Sequence, residues 1–230
     1  MKKLAIFDVD GTIFRSSLLI ELVNGLIAEK VFTRDVEVLY GKTREEWLDR
    51  KGGYDAYIEG VIAAFRKNIK GVAYRDLRRV AYKVVAKHKN RTYRATRDLV
   101  RELKAKHYYL VAISHSPKLA VEGFCKTLGF NKVYGIMYET DENGPKARFT
   151  GEVLFPEVIY EKDKIVERVI AEGGLTLRGS VGVGDTENDA PFLKLVDRPI
   201  CFNPNKKLLA AARRRGWEVI VERKDVVYRL

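Results

Sequence analysis

The sequence predicts an α/β fold: a parallel sheet covered on both faces by helices, interrupted early by a helical insertion. Three observations carry this. From Thr92 onward short apolar runs alternate with stretches of helical period, a pattern that right-handed crossovers assemble into a parallel sheet. The first run, Leu4-Ala5-Ile6-Phe7, is apolar at every position, as expected of a strand buried on both faces. Between about Ser17 and Lys89 nothing reads as strand.

In chain order, the first strand ends at Asp8. Leu18, Leu19, Leu22, Leu26 and Ile27 then recur at helical intervals, with Ser16 or Ser17 available as N-cap. Tyr54, Ala56, Tyr57, Val61, Ile62 and Phe65 mark a second amphipathic helix, entered from Gly52-Gly53, and Leu77, Val80, Ala81, Val84 and Val85 a third. A helix over about Arg94 to Lys106 leads into the strand Tyr108 to Ile113, which ends in a polar turn, Ser114-His115-Ser116-Pro117, before a helix from Lys118 to Leu128. A short strand near Val133 to Met137 follows. The segments 138–141 and 148–153, about Glu142-Asn143-Gly144-Pro145, read as a hairpin whose regularity Pro145 weakens. A charged helix from near Tyr160 stops at Gly173-Gly174. A strand Ser180 to Gly184, a helix Asn188 to Val196, and strands Pro199 to Phe202 and Trp217 to Val221 about a helix Lys206 to Arg215 complete the pattern.

Composition narrows the classes. With 230 residues and 46% hydrophobic content, the chain can bury a real core in one α/β domain carrying one inserted module. No run approaches the roughly 18 apolar residues of a membrane span, and the start turns acidic too soon for a signal peptide, so the expected setting is cytoplasmic. Cys125 and Cys201 stand far apart and read as reduced, buried thiols. His88, His107 and His115 are too scattered for a zinc cluster. A formal net charge of +12 suits attraction of polyanions or steering of phosphorylated substrates. No aromatic-basic pattern of a nucleic-acid module accompanies it, so most of the charge reads as solvated helix faces.

The chemistry gathers at strand ends. Asp8-Val9-Asp10-Gly11-Thr12 releases two carboxylates from the first strand, a costly pair unless a cation or proton offsets their repulsion. Ser114 ends a second strand and Asp185 a third, with Asp189 four residues on. In a parallel sheet these ends share one edge, where ligands bind. Lys162, opening a helix after the hairpin, can approach from the side. Carboxylates with one ammonium and one hydroxyl suit a phosphate held by Mg²⁺, hard oxygens binding the ion and the donors binding phosphoryl oxygens. Each piece has a plainer reading: Asp10-Gly11 as a turn, Ser114 as a helix N-cap, Lys162 as solvated surface, Asp185 to Asp189 as a polar loop.

Taken together, these residues resemble the haloacid-dehalogenase-like phosphohydrolases, within them the phosphoserine-phosphatase-like branch with a helical C1-type cap. Asp8 to Thr12 matches the first motif, Ser114 the second, Lys162 in Glu161-Lys162-Asp163-Lys164-Ile165 the third, and Gly184-Asp185-Thr186-Glu187-Asn188-Asp189 the fourth. Lys164 is a rival to Lys162, whose spacing to Ile165 and Val166 fits the family better. The resemblance implies a Rossmann-like three-layer core over residues 1–14 and 90–230, a cap over 15–89, and a flap at the hairpin, including Phe149-Thr150-Gly151-Glu152-Val153. It implies Asp8 as nucleophile forming an aspartyl-phosphate, and Asp10 as acid and base. Mg²⁺ would be held by Asp8, the Asp10 backbone carbonyl and Asp185, with Asp189 supporting them. Ser114 and Lys162 would bind phosphate.

The resemblance is incomplete on the substrate side. Where phosphoserine phosphatases place a cap-side acid for the substrate's amino group, spacing gives Ser17; where they place an arginine for its carboxylate, the register falls near Val61, with Arg66 following. His115 stands where that branch has glycine, either contacting phosphate or leaving group or only shaping the pocket. The expected function is therefore a Mg²⁺-dependent phosphomonoesterase of a small phosphorylated metabolite, with phosphoserine not the favoured substrate. The alternatives are a phosphotransferase using the same intermediate and a basic nucleic-acid-binding protein on a retained phosphatase scaffold.

Overall fold

The computed structural model describes residues 1–144 and 146–230, without the side chains of Glu157 and Val158. Pro145, placed by the sequence reading in the hairpin turn, lies outside the described residues.

Eight strands form one sheet: β1 (Lys2–Phe7), β2 (Tyr109–Pro117), β3 (Lys132–Thr140), β4 (Phe149–Leu154), β5 (Leu175–Gly184), β6 (Arg198–Phe202), β7 (Glu218–Arg223) and β8 (Val226–Arg229). They lie in the order β4-β3-β2-β1-β5-β6-β7-β8. Every pairing is parallel except β3 with β4 and β7 with β8, at the two edges. The chain fills one side of β1 with β2 and β3, then crosses to fill the other from β5. That reversal opens a crevice at the carboxyl end of β1. Register decides which residues reach it. Phe7 pairs with Ala112 on one side and Val183 on the other, so Asp8, Ser114 and Asp185 all emerge within two residues of the same level.

Alternation of side chains along each strand divides the core. On one face, Ala5, Phe7, Ala112, Val183 and Phe202 pack with apolar residues of α1 (Leu18–Ala28), α3 (Tyr54–Ile69), α4 (Tyr74–His88), α5 (Arg94–Ala105) and α6 (Lys118–Leu128). On the other, Leu4, Ile6, Val111, Ile113 and Cys201 meet α8 (Lys162–Ala171), α9 (Ala190–Leu193) and α10 (Lys206–Arg215). This is the two-sided α/β architecture that the apolar runs imply. Both cysteines are buried and unpaired. Among the described residues, no helix is long and apolar enough to cross a membrane.

Several local expectations need correction. The stretch read as a polar turn, Ser114 to Pro117, continues β2, and Pro117 rather than Ser114 sits at the N-cap of α6. The helix expected from Asn188 to Val196 is a 3-10 turn, Glu187–Asp189, followed by the single-turn α9. The helix expected from Tyr160 begins at Lys162, after a separate turn, α7 (Pro156–Ile159). The strand expected from Ser180 begins at Leu175. The 3-10 turn Arg34–Leu39, α2 (Gly41–Leu48) and β8 have no counterpart in the sequence reading. α2 buries no residue and so carries no apolar stripe to read, and β8 is a short edge strand.

The hairpin of β3 and β4 docks on the loop between α3 and α4. Gly71 N–H donates to Phe149 O at 2.8 Å, Phe149 N–H to Val72 O at 3.0 Å, and Tyr74 N–H to Ala147 O at 2.8 Å. Phe65 and Tyr138 meet edge to face at 5.2 Å. Backbone bonds and ring packing thus join the hairpin to the helical segment.

Candidate active site

Asp8 leaves β1 with its amide bonded to Val183 O at 2.9 Å, and the chain then folds tightly on itself. Ile13 and Phe14 amides return to Val9 O, and Gly11 N–H donates to Phe14 O at 3.0 Å. Gly11 has φ +79°, and a Cβ there would lie 2.1 Å from Asp185 Oδ2, so only glycine permits this turn against that carboxylate. Gly184 makes a similar allowance: a Cβ would lie 2.4 Å from the Asp189 Cβ.

Lys162, the first residue of α8, is buried to 3% exposure beneath this turn. Its ammonium donates to Asp8 Oδ1 at 2.7 Å and to Asp189 Oδ1 at 2.6 Å. The other oxygen of Asp189 accepts the Asp185 and Thr186 amides at 2.9 and 3.1 Å. Both Asp189 oxygens are therefore engaged in orienting Lys162 and closing the loop. Lys164, the rival at sequence level, is exposed and pairs with Glu161.

Asp10 is gripped differently. Its Oδ1 accepts the Leu18 N–H at 2.5 Å and its Oδ2 accepts the Ser114 hydroxyl at 2.6 Å. Ser114 Oγ in turn accepts the Ser116 amide at 2.9 Å, and Ser116 Oγ accepts the Leu19 N–H at 3.1 Å. The first two free amides of α1 are thus satisfied by Asp10 and Ser116. Ser17, the expected N-cap, occupies the cap position without a side-chain cap bond.

Four carboxylates surround one ammonium, and their protonation shows the imbalance. Burial pushes Asp8 up to about 7; Lys162 opposes this, while Asp189 and Asp10 add to it. Asp185 is raised well above the usual carboxylate range by burial, then by Asp8 and Asp189. Asp10 is raised by burial, against the pull of its bonds to Ser114 and Leu18. Burial works against the Lys162 charge, but Asp189 and Asp8 outweigh it and hold the ammonium above its ordinary value.

Oxygens of Asp8, Asp185 and Asp189 lie within 4.8 Å of one another, and Asp8 Oδ2 is buried with no hydrogen-bond partner. A buried, partnerless carboxylate oxygen beside a second crowded carboxylate fits a hard divalent cation. Asp8 and Asp185 have the oxygens to offer it; those of Asp189 are already taken.

The structure therefore brings together Asp8, Asp10, Ser114, Lys162, Asp185 and Asp189. His115 lies beside them, its ring tilted against Tyr160 at 5.5 Å. Ser17 and Val61 are buried, and Arg66 donates to the Tyr160 hydroxyl at 2.5 Å. Sequence reasoning missed two contributors. Ser116 has a readable signal, a second hydroxyl in Ser114-His115-Ser116-Pro117. Tyr54 has none: read as part of an apolar helix face, its phenol is raised by burial, then by Asp10, Asp185, Tyr57 and Asp8.

Comparison with known proteins identifies the family. The chain is 28% identical over 224 residues to phosphoserine phosphatase SerB1 of Mycobacterium tuberculosis, covering 94% of this chain and 69% of that one. It is 26% identical over 231 residues to a histidinol-phosphatase of Neisseria meningitidis serogroup C, covering 96% and 99%. A solved phosphoserine phosphatase, captured as an analogue of its phospho-aspartyl intermediate, shares the fold with a TM-score of 0.60 at 21% identity, over 97% of this chain and 95% of that one. The family model for haloacid dehalogenase-like hydrolases matches residues 5–194. With that match spanning most of the chain, and with its α/β fold shared by phosphoserine phosphatase, the protein belongs to the haloacid dehalogenase-like hydrolases.

Proposed function

We propose that this protein is a Mg²⁺-dependent phosphomonoesterase that works through an aspartyl-phosphate on Asp8. The observation that carries the reading is the split state of the Asp8 carboxylate. Oδ1 is held by Lys162 at 2.7 Å, whereas Oδ2 is buried with no partner. Lys162 thereby orients the carboxylate, and no protein donor competes for its second oxygen. Relatives named as phosphoserine phosphatase and histidinol-phosphatase support a phosphate monoester as substrate.

Asp8, Asp185 and the Asp10 carbonyl would hold Mg²⁺, with Asp189 supporting them through Lys162 and the loop amides, and the ion when bound would neutralise charge on the incoming phosphate. The residues do the rest. Asp8 attacks phosphorus as the bond to the leaving oxygen breaks, and Asp10 gives that oxygen its proton. Asp10, now ionised, takes a proton from water as the water attacks phosphorus and the Asp8 bond breaks. Burial raises the Asp10 carboxyl above its usual value, against the pull of its bonds to Ser114 and Leu18, the direction required of an acid that must give up a proton. Lys162 offsets charge on the phosphoryl group, and Ser114 can rotate its hydroxyl from Asp10 toward a phosphoryl oxygen.

In this reading residues 15–89 form a cap and the β3–β4 hairpin a flap, moving together because backbone bonds join them. Their closure excludes water from the acyl phosphate. The test is a Mg²⁺-dependent screen of phosphorylated metabolites, with Asp8→Asn as control. Phosphate release that needs both Mg²⁺ and Asp8 supports the reading; release unaffected by Asp8→Asn refutes it.

A further inference from the structure

α4 packs on α1 and α6, burying Leu77, Val80, Ala81, Val84 and Val85. Its outer side exposes Arg75, Arg78, Arg79, Lys83 and Lys87, against one acid of the same helix, Asp76. Residues four apart share a helix face. Tyr74, Arg78 and Tyr82 therefore form one stripe about 12 Å long, and Arg75, Arg79 and Lys83 a second beside it.

The turn end of the β3–β4 hairpin stands opposite the first stripe. Between them runs a groove of about 1020 Å³, with Tyr74, Arg78 and Tyr82 on one wall and Thr140, Glu142 and Asn143 on the other. Its walls are tied together at one end. Tyr74 N–H donates to Ala147 O at 2.8 Å, and the Arg148 side chain donates to Gly71 O at 2.6 Å. The Tyr74 ring also packs on Phe149 at 5.9 Å. The groove is thus preformed, as binding clefts usually are.

The cations along it differ in their partners. Arg79 pairs with Glu29 and Asp76, and Lys83 with Glu29, whereas Arg75 and Arg78 take part in no ion pair among the described residues. Tyr82, one turn beyond Arg78, is 80% exposed. An open ring face thus stands beside two guanidiniums without a carboxylate.

The shape and chemistry of the groove select its occupant. Unpaired arginines along a cleft attract a polyanion. A bilayer is broad and flat and would rest on the ridges above the cleft. An acidic peptide satisfies the arginines but gives the rings nothing to stack on. A nucleic-acid duplex keeps its base faces inside. A single strand offers phosphates at regular steps and open base faces between them, the two things this groove provides for. We propose that the groove between α4 and the β3–β4 hairpin binds single-stranded nucleic acid, with Arg75 and Arg78 on phosphates and Tyr82 stacked on a base. No residue of the groove belongs to the site around Asp8, so this binding stands or falls independently of the phosphatase chemistry.

The test is fluorescence anisotropy with a labelled oligothymidylate that carries no terminal phosphate and so is not a monoester substrate. The wild type should bind it, and log Kd should rise with log salt with a slope of at least about 1.4, the value for two phosphate contacts. Arg75→Ala with Arg78→Ala should lower that slope and weaken binding about tenfold or more. Tyr82→Ala should weaken it about tenfold with little change of slope, and Tyr82→Phe, which keeps the ring, should bind like the wild type. All the variants should release phosphate from small esters at the wild-type rate. No binding by the wild type overturns the inference, as does binding that none of these substitutions weakens. Vesicles of anionic lipid or polyglutamate that compete as well as unlabelled oligothymidylate also overturn it, showing a face that takes any polyanion.

Discussion

Asp8 and Lys162 are a buried pair whose surroundings carry more negative than positive charge, and this has a consequence for stability. Asp8 is held near 7 in the folded protein against an ordinary 3.8. The folded state therefore binds a proton more tightly than the unfolded chain between those values. Stability must fall as pH rises from about 4 to 7 in the metal-free protein, by at most ~4 kcal/mol from this group. A divalent cation competes with that proton. In calorimetry, Mg²⁺ should raise Tm more at pH 8 than at pH 5, and Asp8→Asn should flatten the pH dependence of the metal-free protein. Equal stabilisation by Mg²⁺ at both pH values would contradict the placement of a cation at Asp8. The order and spacing of the motifs made Asp8, Asp10, Ser114, Lys162, Asp185 and Asp189 legible in the sequence. The division of labour among the carboxylates was not legible, since it depends on which oxygens Lys162 and the loop amides occupy.

Among the elements, α1 is coupled to the site through its backbone, because its first amides bond Asp10 and Ser116. Its entry is braced by Glu21, which accepts from the Ser16 hydroxyl at 3.1 Å and from Arg91 at 2.5 Å, and faces the buried His88 at 3.4 Å. Ser16 and Arg91 belong to the two connections between the helical segment and the sheet, which also meet through Arg15 N–H to Arg91 O at 3.0 Å and Tyr93 N–H to Ile13 O at 2.9 Å. Glu21 is thus a positioning residue, acting on Asp10 through α1. Glu21→Ala should cost about 1–3 kcal/mol of stability, speed amide exchange at Leu18 and Leu19 while leaving Ile6 protected, and lower kcat more than it raises KM. Unchanged exchange at Leu18 would remove the positioning role. The amphipathic helices were readable because each buries a stripe. The continuation of β2 through Ser114-His115-Ser116 was not, because a strand that lines a site carries polar residues where pattern reading expects a turn.

At the scale of the whole molecule, the reversal of chain direction about β1 gathers four distant stretches of sequence at one sheet edge. The helical segment and the hairpin are bonded to each other beside it. The α/β class was legible from the alternation of apolar runs and helical stretches, but the edge strand β8 was not, since four residues at a sheet margin give almost no period. The net charge of +12 fits an enzyme that draws in a phosphate dianion. Covalent transfer to Asp8 is measured most directly by mass analysis of peptides after acid quench during turnover of a phosphate ester in Mg²⁺. One phosphoryl group is expected on the peptide containing Asp8, absent in Asp8→Asn and, with an ester whose leaving group needs no acid, accumulating in Asp10→Asn, where the second step lacks its base. Turnover with no phosphoryl-enzyme in either the wild type or Asp10→Asn, and activity retained in Asp8→Asn, would contradict it.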